Sequence, residues 1–312
     1  MEKCLDSLLC QTLHDIEVIA VDDCSTDGTL ALLHQRAAAD SRLRVLQTAQ
    51  NSGQAVARNL ALQQAAGELV CVVDADDWLS PDCLQQASDV FCRHPLTDCV
   101  VLRLMQHYEA TGREVEYPLP PSLHTDGVMS GSDAFKLCID GWKLHGLYVA
   151  RAGLYKEYPF DTTTRLYSDD ISTCLHYLHS REVRLCDGVY FYCKNSSSAT
   201  NSFHFRRFDF MEAMLSQKLA LKKENIGKQL MAMFEGQRWY CFLGIYRLYL
   251  QHRRDLTDEE QAQLRPRFNT ILHTFRPSQL RWRYRWKPFY WLMTSLPMFD
   301  LSQRLYIRLR SR

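Results

Sequence analysis

The stretch "EVIAVDDCSTDGT", residues 17–29, decides the fold, because an apolar run in it ends on two adjacent carboxylates. Val18 to Val21 favour a short strand that is buried on both faces, whereas the Ser, Thr, Asp and Gly residues that follow are typical of turns and helix caps. Asp22 and Asp23 are therefore predicted to lie at the carboxyl end of a strand. In open α/β sheets, ligands bind at that edge.

The first half of the chain alternates strand-like and helix-like segments at the length expected of βα units. We predict strands at Glu17–Val21, Leu43–Gln47, Leu69–Val73 and Cys99–Arg103. Between them we predict helices at Thr29–Ala38, Gln54–Ala65 and Pro81–His94, each preceded by residues that favour a helix start. The alternation predicts an α/β fold with a mostly parallel sheet that is flanked by helices.

Beyond Tyr108 the alternation stops, and apolar residues recur at helical spacing from Phe208 to about Leu250. We therefore predict two domains. The sheet domain covers residues 1–204, and a helical extension with a basic, aromatic tail covers residues 205–312.

Composition excludes several classes of protein. The 312 residues are 46% hydrophobic, enough for a full core, and 37 Lys and Arg against 36 Asp and Glu favour neither nucleic acid nor an acidic partner. The twelve cysteines include no C-x-x-C spacing, and several lie in apolar runs, which predicts reduced thiols in a cytoplasmic protein. No apolar run approaches 18 residues, so we expect a soluble or peripheral protein and no membrane-spanning helix.

A second apolar strand also ends in acids, in "ELVCVVDADDWLSPD", residues 68–82. Asp74, Asp76 and Asp77 offer hard oxygen ligands suited to Mg²⁺ or Mn²⁺, ions that usually bridge protein acids to the oxygens of a phosphate substrate. The alternative interpretation is that Asp76 and Asp77 only cap the next helix. Taken by itself, one D-x-D does not decide between the two.

Two acid-terminated strands in one parallel sheet bring their acids to the same edge. One crevice would then collect Asp22, Asp23, Asp74 and Asp76, and that much negative charge calls for a bound cation or a basic neighbour. Arg58, in "NSGQAVARNLAL", is the candidate neighbour. The alternative is an arginine on a solvated helix surface.

These ordered motifs, together with the opening "CLDSLLCQTLHD", resemble the nucleotide-binding half of family 2 glycosyltransferases of the GT-A fold. The resemblance covers about residues 1–200. It implies a nucleotide-diphosphate sugar as donor, foremost a UDP-sugar, a divalent Mn²⁺ or Mg²⁺ ion, and inversion at the anomeric carbon. It also implies a role in making a bacterial surface polysaccharide or its lipid-linked precursor.

The resemblance implies roles for individual residues. Asp23 would bind the nucleobase, Arg58 and Asp74 would hold the nucleoside or diphosphate, and Asp76 with Asp74 would ligate the metal. The residues implied in binding the nucleotide sugar are Asp22, Asp23, Asn51, Gly53, Arg58, Asp74 and Lys194.

Transfer to a hydroxyl also needs a base, and "YSDDIST", residues 167–173, resembles the acidic pair that family members place beneath the acceptor. By that pattern Asp170 is the base and Asp169 its neighbour, whose charge would raise the pKa of the base. The alternative is a pair of acids at a helix N-terminus after Ser168.

Three further residues are weaker candidates. Ser197 lies near Lys194 in a loop rich in Ser and Asn, which needs no function to exist. Trp142 and Lys143 are candidates for the acceptor site, because aromatic faces pack on sugar rings, although Trp142 also suits a core.

The chain departs from the family pattern at its start. Family members open with a central strand before the helix that begins this sequence, so we expect a missing first strand. Its loss would expose backbone groups on both neighbouring strands, which puts folding and activity in doubt. Of the two explanations, an upstream start is favoured over a deliberate truncation.

Arginines alternate with Trp, Tyr and Phe in the tail, residues 276–312, where Asp300 is the one acid. This pattern indicates peripheral attachment to the anionic inner leaflet of a membrane. Binding of single-stranded nucleic acid and a packed helical hairpin with solvated arginines are the alternatives.

Three hypotheses follow for the function. The first is an inverting, metal-dependent glycosyltransferase that acts on a polysaccharide or lipid-linked glycan acceptor, with no nucleic acid as partner. The second is an inactive nucleotide-sugar binder or partner protein that lacks the first strand. The third is a basic RNA-binding protein that uses its tail.

Overall fold

The structure, a computed structural model, describes residues 1–121, 123, 127–195, 203–276, 280 and 295–310. Its contacts divide the chain into two compact units. The first covers residues 1–138 and 142–198, and the second covers residues 139–141 and 199–312. The boundary predicted from the sequence, after residue 204, lies a few residues further along the chain.

The first unit combines strands and helices, which confirms the predicted α/β class. Its strands are β1 Val18–Asp22, β2 Leu43–Gln47, β3 Leu69–Cys71, β4 Trp78–Leu79, β5 Thr97–Tyr108, β6 Arg113–Glu116, β7 Val128–Ser130, β8 Tyr148–Arg151 and β9 Glu182–Lys194. Its helices are α1 Glu2–Leu9, α2 Thr29–Ala39, α3 Gln54–Gln64, α4 Cys83–Arg93, α5 Gly131–Ile139, α6 Ala152–Glu157 and α7 Ser168–Leu178.

The larger sheet is mixed, so the prediction of a mostly parallel sheet is wrong. Seven strands form it in the order β3-β8-β5-β9-β4, with β6 paired to β5 and β7 paired to β9. Within this sheet β5 and β9 run parallel, whereas the other pairs are antiparallel. Apolar periodicity indicates that a segment is a strand but not its direction, and direction is set by connections such as the tight β5–β6 hairpin at Gly112, whose φ is +65°.

Strands β1 and β2 form a separate, two-stranded parallel sheet in which Val18 lies opposite Leu43. Among the described strands, none pairs with the other edge of β1. Val18 to Val21 are half-buried, so the predicted burial of this strand on both faces is wrong. Apolar side chains of β1 instead share a small cluster with Leu5, Leu33 and Leu43 from α1, α2 and β2.

The main core of the first unit lies between α4 and the sheet. Ala87, Val90 and Phe91 of α4 pack on Val100 and Leu102 of β5, and all are buried. This core stabilises β5, β8 and β9 of the larger sheet. The loop that leaves β3, at the edge of that sheet, can therefore carry polar side chains without weakening the sheet.

The second unit is helical. It contains a short 3₁₀ helix at Phe205–Asp209 and the helices α8 Phe210–Lys223, α9 Gly227–His252, α10 Asp258–His273 and α11 Leu296–Arg310. Its core is rich in aromatic side chains, among them Phe208, Trp239, Phe242, Phe268 and Phe299. None of the described helices is long and apolar enough to cross a membrane.

A buried histidine makes the first unit sensitive to acid. His176 on α7 is 0% exposed, and its Nε2–H donates to the carbonyl of Tyr158 at 2.8 Å while Nδ1 accepts from the Tyr148 hydroxyl at 2.6 Å. Burial lowers the pKa of His176 from 6.5 to about 4, because the charged ring is poorly solvated there. The unfolded chain therefore binds a proton between these pH values that the folded chain does not.

We expect the free energy of unfolding to fall by about 2 kcal/mol between pH 7 and pH 5 through His176 alone. Urea denaturation followed by circular dichroism at both pH values measures this, and the fall should be smaller by about 2 kcal/mol in His176→Gln, in which the buried His145, whose pKa is also lowered to about 4, still contributes. His34→Gln, which changes an exposed histidine of α2, should keep the full acid sensitivity. Equal pH dependence of the wild type and His176→Gln would contradict the assignment.

Candidate functional site

The two acids that follow β1 have different environments. Asp22 is 2% exposed, and its Oδ2 accepts hydrogen bonds from the Ser25 N–H at 3.2 Å and the Gln47 side-chain amide at 3.1 Å. Asp22 thus braces the turn after β1, and its burial does not support the predicted contact with a nucleotide. The half-buried Asp23 is the acid that faces the next loop.

Asp23 holds the loop between β2 and α3. Its Oδ1 accepts from the Thr48 hydroxyl at 2.7 Å and the Ser52 N–H at 2.9 Å, and its Oδ2 accepts from the Gly53 N–H at 2.7 Å. Partial burial acts to raise the pKa of Asp23, but these hydrogen bonds outweigh it and the pKa is lowered. Asn51 also binds the Asp23 carbonyl, at 3.1 Å. The predicted residues Asp23, Asn51 and Gly53 therefore form one cluster.

Arg165 completes this cluster, and the sequence analysis missed it. Its guanidinium donates to the side-chain oxygen of Asn51 at 3.1 Å and to the Asn51 carbonyl at 3.0 Å. Its side chain covers Gly53, where a Cβ would lie 3.5 Å from Arg165 Cγ and where φ is +91°. Arg165 also helps to lower the pKa of Asp23. Arg165 lies 114 residues from Asn51 in the sequence, in a segment without a motif. The one feature of the sequence that could have indicated a role for Arg165 is its position shortly before Asp169 and Asp170.

Arg58, on α3, interacts with an acid that follows β3, Asp74, and with the charge of Asp169. Its side chain is 14% exposed and forms a salt bridge with Asp74. Burial acts to lower the pKa of Arg58, but the charges of Asp74 and Asp169 outweigh it and the pKa is raised. A solvated arginine, the alternative interpretation, does not fit this burial. Arg58 is thus the cation that the clustered carboxylates require.

The acids after β3 form a turn that is anchored on β9. The Asp74 N–H donates to the Tyr190 hydroxyl at 3.1 Å, and this hydroxyl donates to Asp77 Oδ2 at 2.7 Å. Asp77 Oδ1 accepts from the Cys193 N–H at 2.7 Å. Asp77 is 1% exposed, and burial raises its pKa to about 7, whereas Asp76 is exposed.

This turn does not cap the next helix, as the alternative interpretation had it. Strand β4 intervenes, and Asp82 occupies the position before the first residue of α4. Asp76 is therefore not used as a helix cap, and Asp77 fixes the turn. The sequence did not predict that Asp77 binds Tyr190, because this contact spans 113 residues.

The predicted base lies at the start of α7. Asp169 is exposed and Asp170 is half-buried, and both belong to the first turn of the helix, after Tyr167 with φ of +66°. Burial and the neighbouring charge of Asp169 raise the pKa of Asp170 well above its usual value. The charge of Asp169 also raises the pKa of Arg58, which binds Asp74. One acid of each predicted pair therefore influences the same arginine.

Lys194 is the last residue of β9 and follows Cys193, which binds Asp77. The Lys194 ammonium lies 5.1 Å from the centre of the Tyr192 ring. Ser197 lies outside the described residues.

Trp142 and Lys143 lie in the turn between α5 and β8. Trp142 is half-buried with φ of +58°, its N–H donates to the Cys138 carbonyl at 3.1 Å, and its carbonyl accepts from the Tyr117 hydroxyl at 2.7 Å. Lys143 is exposed. These contacts hold the turn and do not test the predicted role at an acceptor site.

Comparison with known proteins identifies the family. A family model described as "Glycosyl transferase family 2" matches residues 1–157, half of the chain. The chain belongs to glycosyl transferase family 2. The resemblance noted in the sequence is thereby confirmed.

Bacterial family 2 glycosyltransferases are among the curated relatives. The "Uncharacterized glycosyltransferase EpsJ" of Bacillus subtilis is 28% identical over 208 residues, which cover 64% of this chain and 59% of that protein. The "Poly(ribitol-phosphate) beta-N-acetylglucosaminyltransferase TarS" of Staphylococcus aureus is 28% identical over 205 residues, 64% of this chain and 34% of that protein. The match thus spans less than two thirds of either relative.

Solved structures of family 2 enzymes share the fold. A crystal structure of S. aureus TarS, residues 1–349, in complex with UDP has a TM-score of 0.68 at 20% identity, and the match covers 98% of this chain and 87% of that one. The same fragment in complex with UDP-GlcNAc has a TM-score of 0.67 at 22% identity, with 89% and 78% covered. The predicted GT-A fold of this glycosyltransferase is confirmed.

The acids of this glycosyltransferase suit a metal ion only in part. Within the parts of the chain that the structure describes, no group of three or more His, Cys, Asp or Glu side chains could hold a metal ion. Asp74 is paired with Arg58, and Asp76 is exposed. Mg²⁺ commonly uses one or two protein carboxylates together with substrate phosphates and water. The two acids therefore fit a cation that is shared with a diphosphate, and they do not fit an all-protein cage.

Proposed function

We propose that this family 2 glycosyltransferase moves a sugar from a nucleotide-diphosphate donor, foremost a UDP-sugar, to a hydroxyl of a polysaccharide or lipid-linked glycan, with inversion at the anomeric carbon. The observation that carries the proposal is the nearly buried Arg58, which forms a salt bridge with Asp74 and whose pKa is also raised by the charge of Asp169. Arg58 thus interacts with both a donor-side acid and an acid beside the proposed base. The UDP complexes of a protein with the same fold support the choice of donor.

The cluster around Asp23 would bind the nucleoside. Its Oδ1 already accepts two hydrogen bonds, while its Oδ2 accepts one from the Gly53 N–H and keeps an acceptor site for a nucleobase N–H. Arg165 and Asn51 present polar groups beside it. Arg58, Asp74 and Lys194 would hold the ribose and the diphosphate, with the cations of Arg58 and Lys194 facing the phosphate charge.

Asp170 would accept the proton of the acceptor hydroxyl as that oxygen attacks the anomeric carbon. Its raised pKa suits a general base, because a more basic carboxylate takes a proton more readily near neutral pH. The charge of the neighbouring Asp169 contributes to this raised pKa.

Asp76 and Asp74 are the residues that would hold Mn²⁺ or Mg²⁺. When bound, such an ion neutralises charge on a departing diphosphate as a Lewis acid. Because Asp76 is exposed, its carboxylate can reach a cation that arrives with the nucleotide.

We place the enzyme in the cytoplasm. The twelve cysteines all lie in the described residues and form no disulfide there, and several are buried, as suits a reducing compartment. The polysaccharide setting rests on the bacterial relatives.

The test of the donor is calorimetry with UDP in Mn²⁺ or in EDTA, followed by assays of UDP release from a panel of UDP-sugars. We expect Mn²⁺ to tighten UDP binding at least tenfold, and Asp76→Asn to remove that gain. Asp89→Asn, which changes an exposed acid on α4, is the matched control and should bind like the wild type.

Each outcome has a clear meaning. Absence of UDP binding in both conditions would reject the donor, and equal binding with and without Mn²⁺ would reject the cation. Binding without release of UDP from any sugar nucleotide would favour the inactive nucleotide-sugar binder. Proton NMR of the sugar first released decides the stereochemistry, because inversion turns an α-linked donor into the β-anomer.

A further inference from the structure

The last described helix, α11, has two apolar stripes rather than one. The first packs on the helical core through the buried residues Leu296 and Phe299, the latter 4.7 Å from the ring of Tyr246. The Tyr246 hydroxyl donates to Asp300 at 2.9 Å, and Gln303 accepts from Arg247 at 3.1 Å. One face of α11 is therefore fixed on α9.

The second stripe lies on the opposite face of α11 and is exposed. It consists of Met298, Leu301, Leu305 and Leu309, which are 41%, 53%, 48% and 75% exposed. Their spacing of three, four and four residues keeps them on one side of a helix. A helix that packs on a core needs a single apolar stripe, so the exposed stripe calls for a further partner.

Positive charge borders the exposed stripe. Arg304 and Arg308 lie on α11 beside this stripe. The one acid of the helix, Asp300, is already bound by Arg304 at 2.7 Å and by Tyr246. Apolar side chains bordered by arginine complement a surface that is apolar inside and anionic outside.

We propose that the exposed stripe of α11 lies on a membrane surface that contains anionic lipid. Leucines would enter the boundary between headgroups and acyl chains, and the arginines would bind lipid phosphates. A second copy of the chain fits less well, because a symmetric pair of α11 helices would oppose arginine to arginine. Four side chains also fall short of the about 800 Å² that each partner buries in a stable interface.

Nucleic acid also fits less well. Single strands stack their bases on aromatic rings. The exposed stripe is instead aliphatic, apart from Tyr306 beside it, whose ring lies 4.1 Å from the guanidinium carbon of Arg247.

Flotation with lipid vesicles tests the proposal on the full chain. We expect the wild type to float with vesicles of phosphatidylcholine and phosphatidylglycerol, and at least tenfold less with phosphatidylcholine alone or at 0.5 M NaCl. The triple variant Leu301→Ser, Leu305→Ser, Leu309→Ser should lose at least tenfold of the bound fraction. These side chains are exposed, so thermal unfolding should match the wild type.

The control is Leu96→Ser with Leu219→Ser, which changes two leucines that are 54% and 52% exposed elsewhere. It should float like the wild type. Equal flotation of the triple variant and the wild type, or no flotation of the wild type, would overturn the proposal. A wild-type dimer in light scattering that the triple variant loses would assign the stripe to a second copy. UDP binding is measured in parallel, and it tests the proposed donor separately from the proposed membrane surface.

Discussion

Asp170→Asn is expected to lower the rate of sugar transfer by about 10²–10⁴-fold while it leaves the affinity for UDP within about twofold of the wild type. The amide has nearly the same shape, and it keeps the helix start at Ser168, but it cannot accept a proton as the hydroxyl attacks. Release of UDP from a hydrolysed or transferred donor measures the rate, and calorimetry measures the affinity.

Asp161→Asn is the matched control for this experiment. Asp161 lies in the same loop before α7 and accepts hydrogen bonds from Thr163 at 3.1 and 2.6 Å, but it makes no contact with Arg58 in the described structure. Its replacement should leave the rate within about twofold. If Asp170→Asn keeps the full rate, the base is another group, and a fall in UDP affinity that accounts for the whole loss would assign Asp170 to donor binding.

Arg58→Gln is expected to weaken UDP binding by at least tenfold and also to lower the melting temperature. The variant removes the one basic partner that the structure shows between Asp74 and Asp169, so repulsion among the acids returns and Asp74 loses its ion pair. Arg58→Lys keeps the charge but not the planar donors, and it should recover stability more than affinity.

Arg44→Gln provides the comparison for Arg58. Arg44 is on β2, its side chain is 45% exposed, and its ion pair with Glu17 spans 3.5 Å, so its loss should change neither property measurably. Calorimetry and thermal denaturation at one salt concentration measure both variants. Unchanged UDP affinity in Arg58→Gln would remove Arg58 from the proposed donor site.

Local pattern predicted much of the first unit. The strand at Leu43–Gln47 matches its predicted bounds, and the helices α2 and α3 differ by one residue at one end. The acids after β1 and β3 were found because apolar runs that end in carboxylates are visible within a dozen residues. Strand direction and the burial of β1 were not predictable in this way, since both depend on which distant segments lie beside a strand.

The same limit explains the candidate site. Arg58 was predicted from the charge that neighbouring acids require, a local electrostatic argument that needs only the order of the strands. Arg165, Tyr190 and the anchoring role of Asp77 were missed because they depend on contacts between residues more than 100 positions apart. Motif spacing therefore located the acids, whereas the residues that orient them became apparent only in three dimensions.

The Tyr190 hydroxyl has a mechanical consequence for the donor side of the site. This single oxygen joins the backbone of Asp74 to the carboxylate of Asp77, and Tyr190 belongs to β9, the long strand between β5 and β4. A shift of β9 would therefore move the turn that carries Asp76, because these hydrogen bonds tie the turn to the strand. The position of the Asp76 carboxylate thus depends on a strand that begins more than a hundred residues later in the sequence.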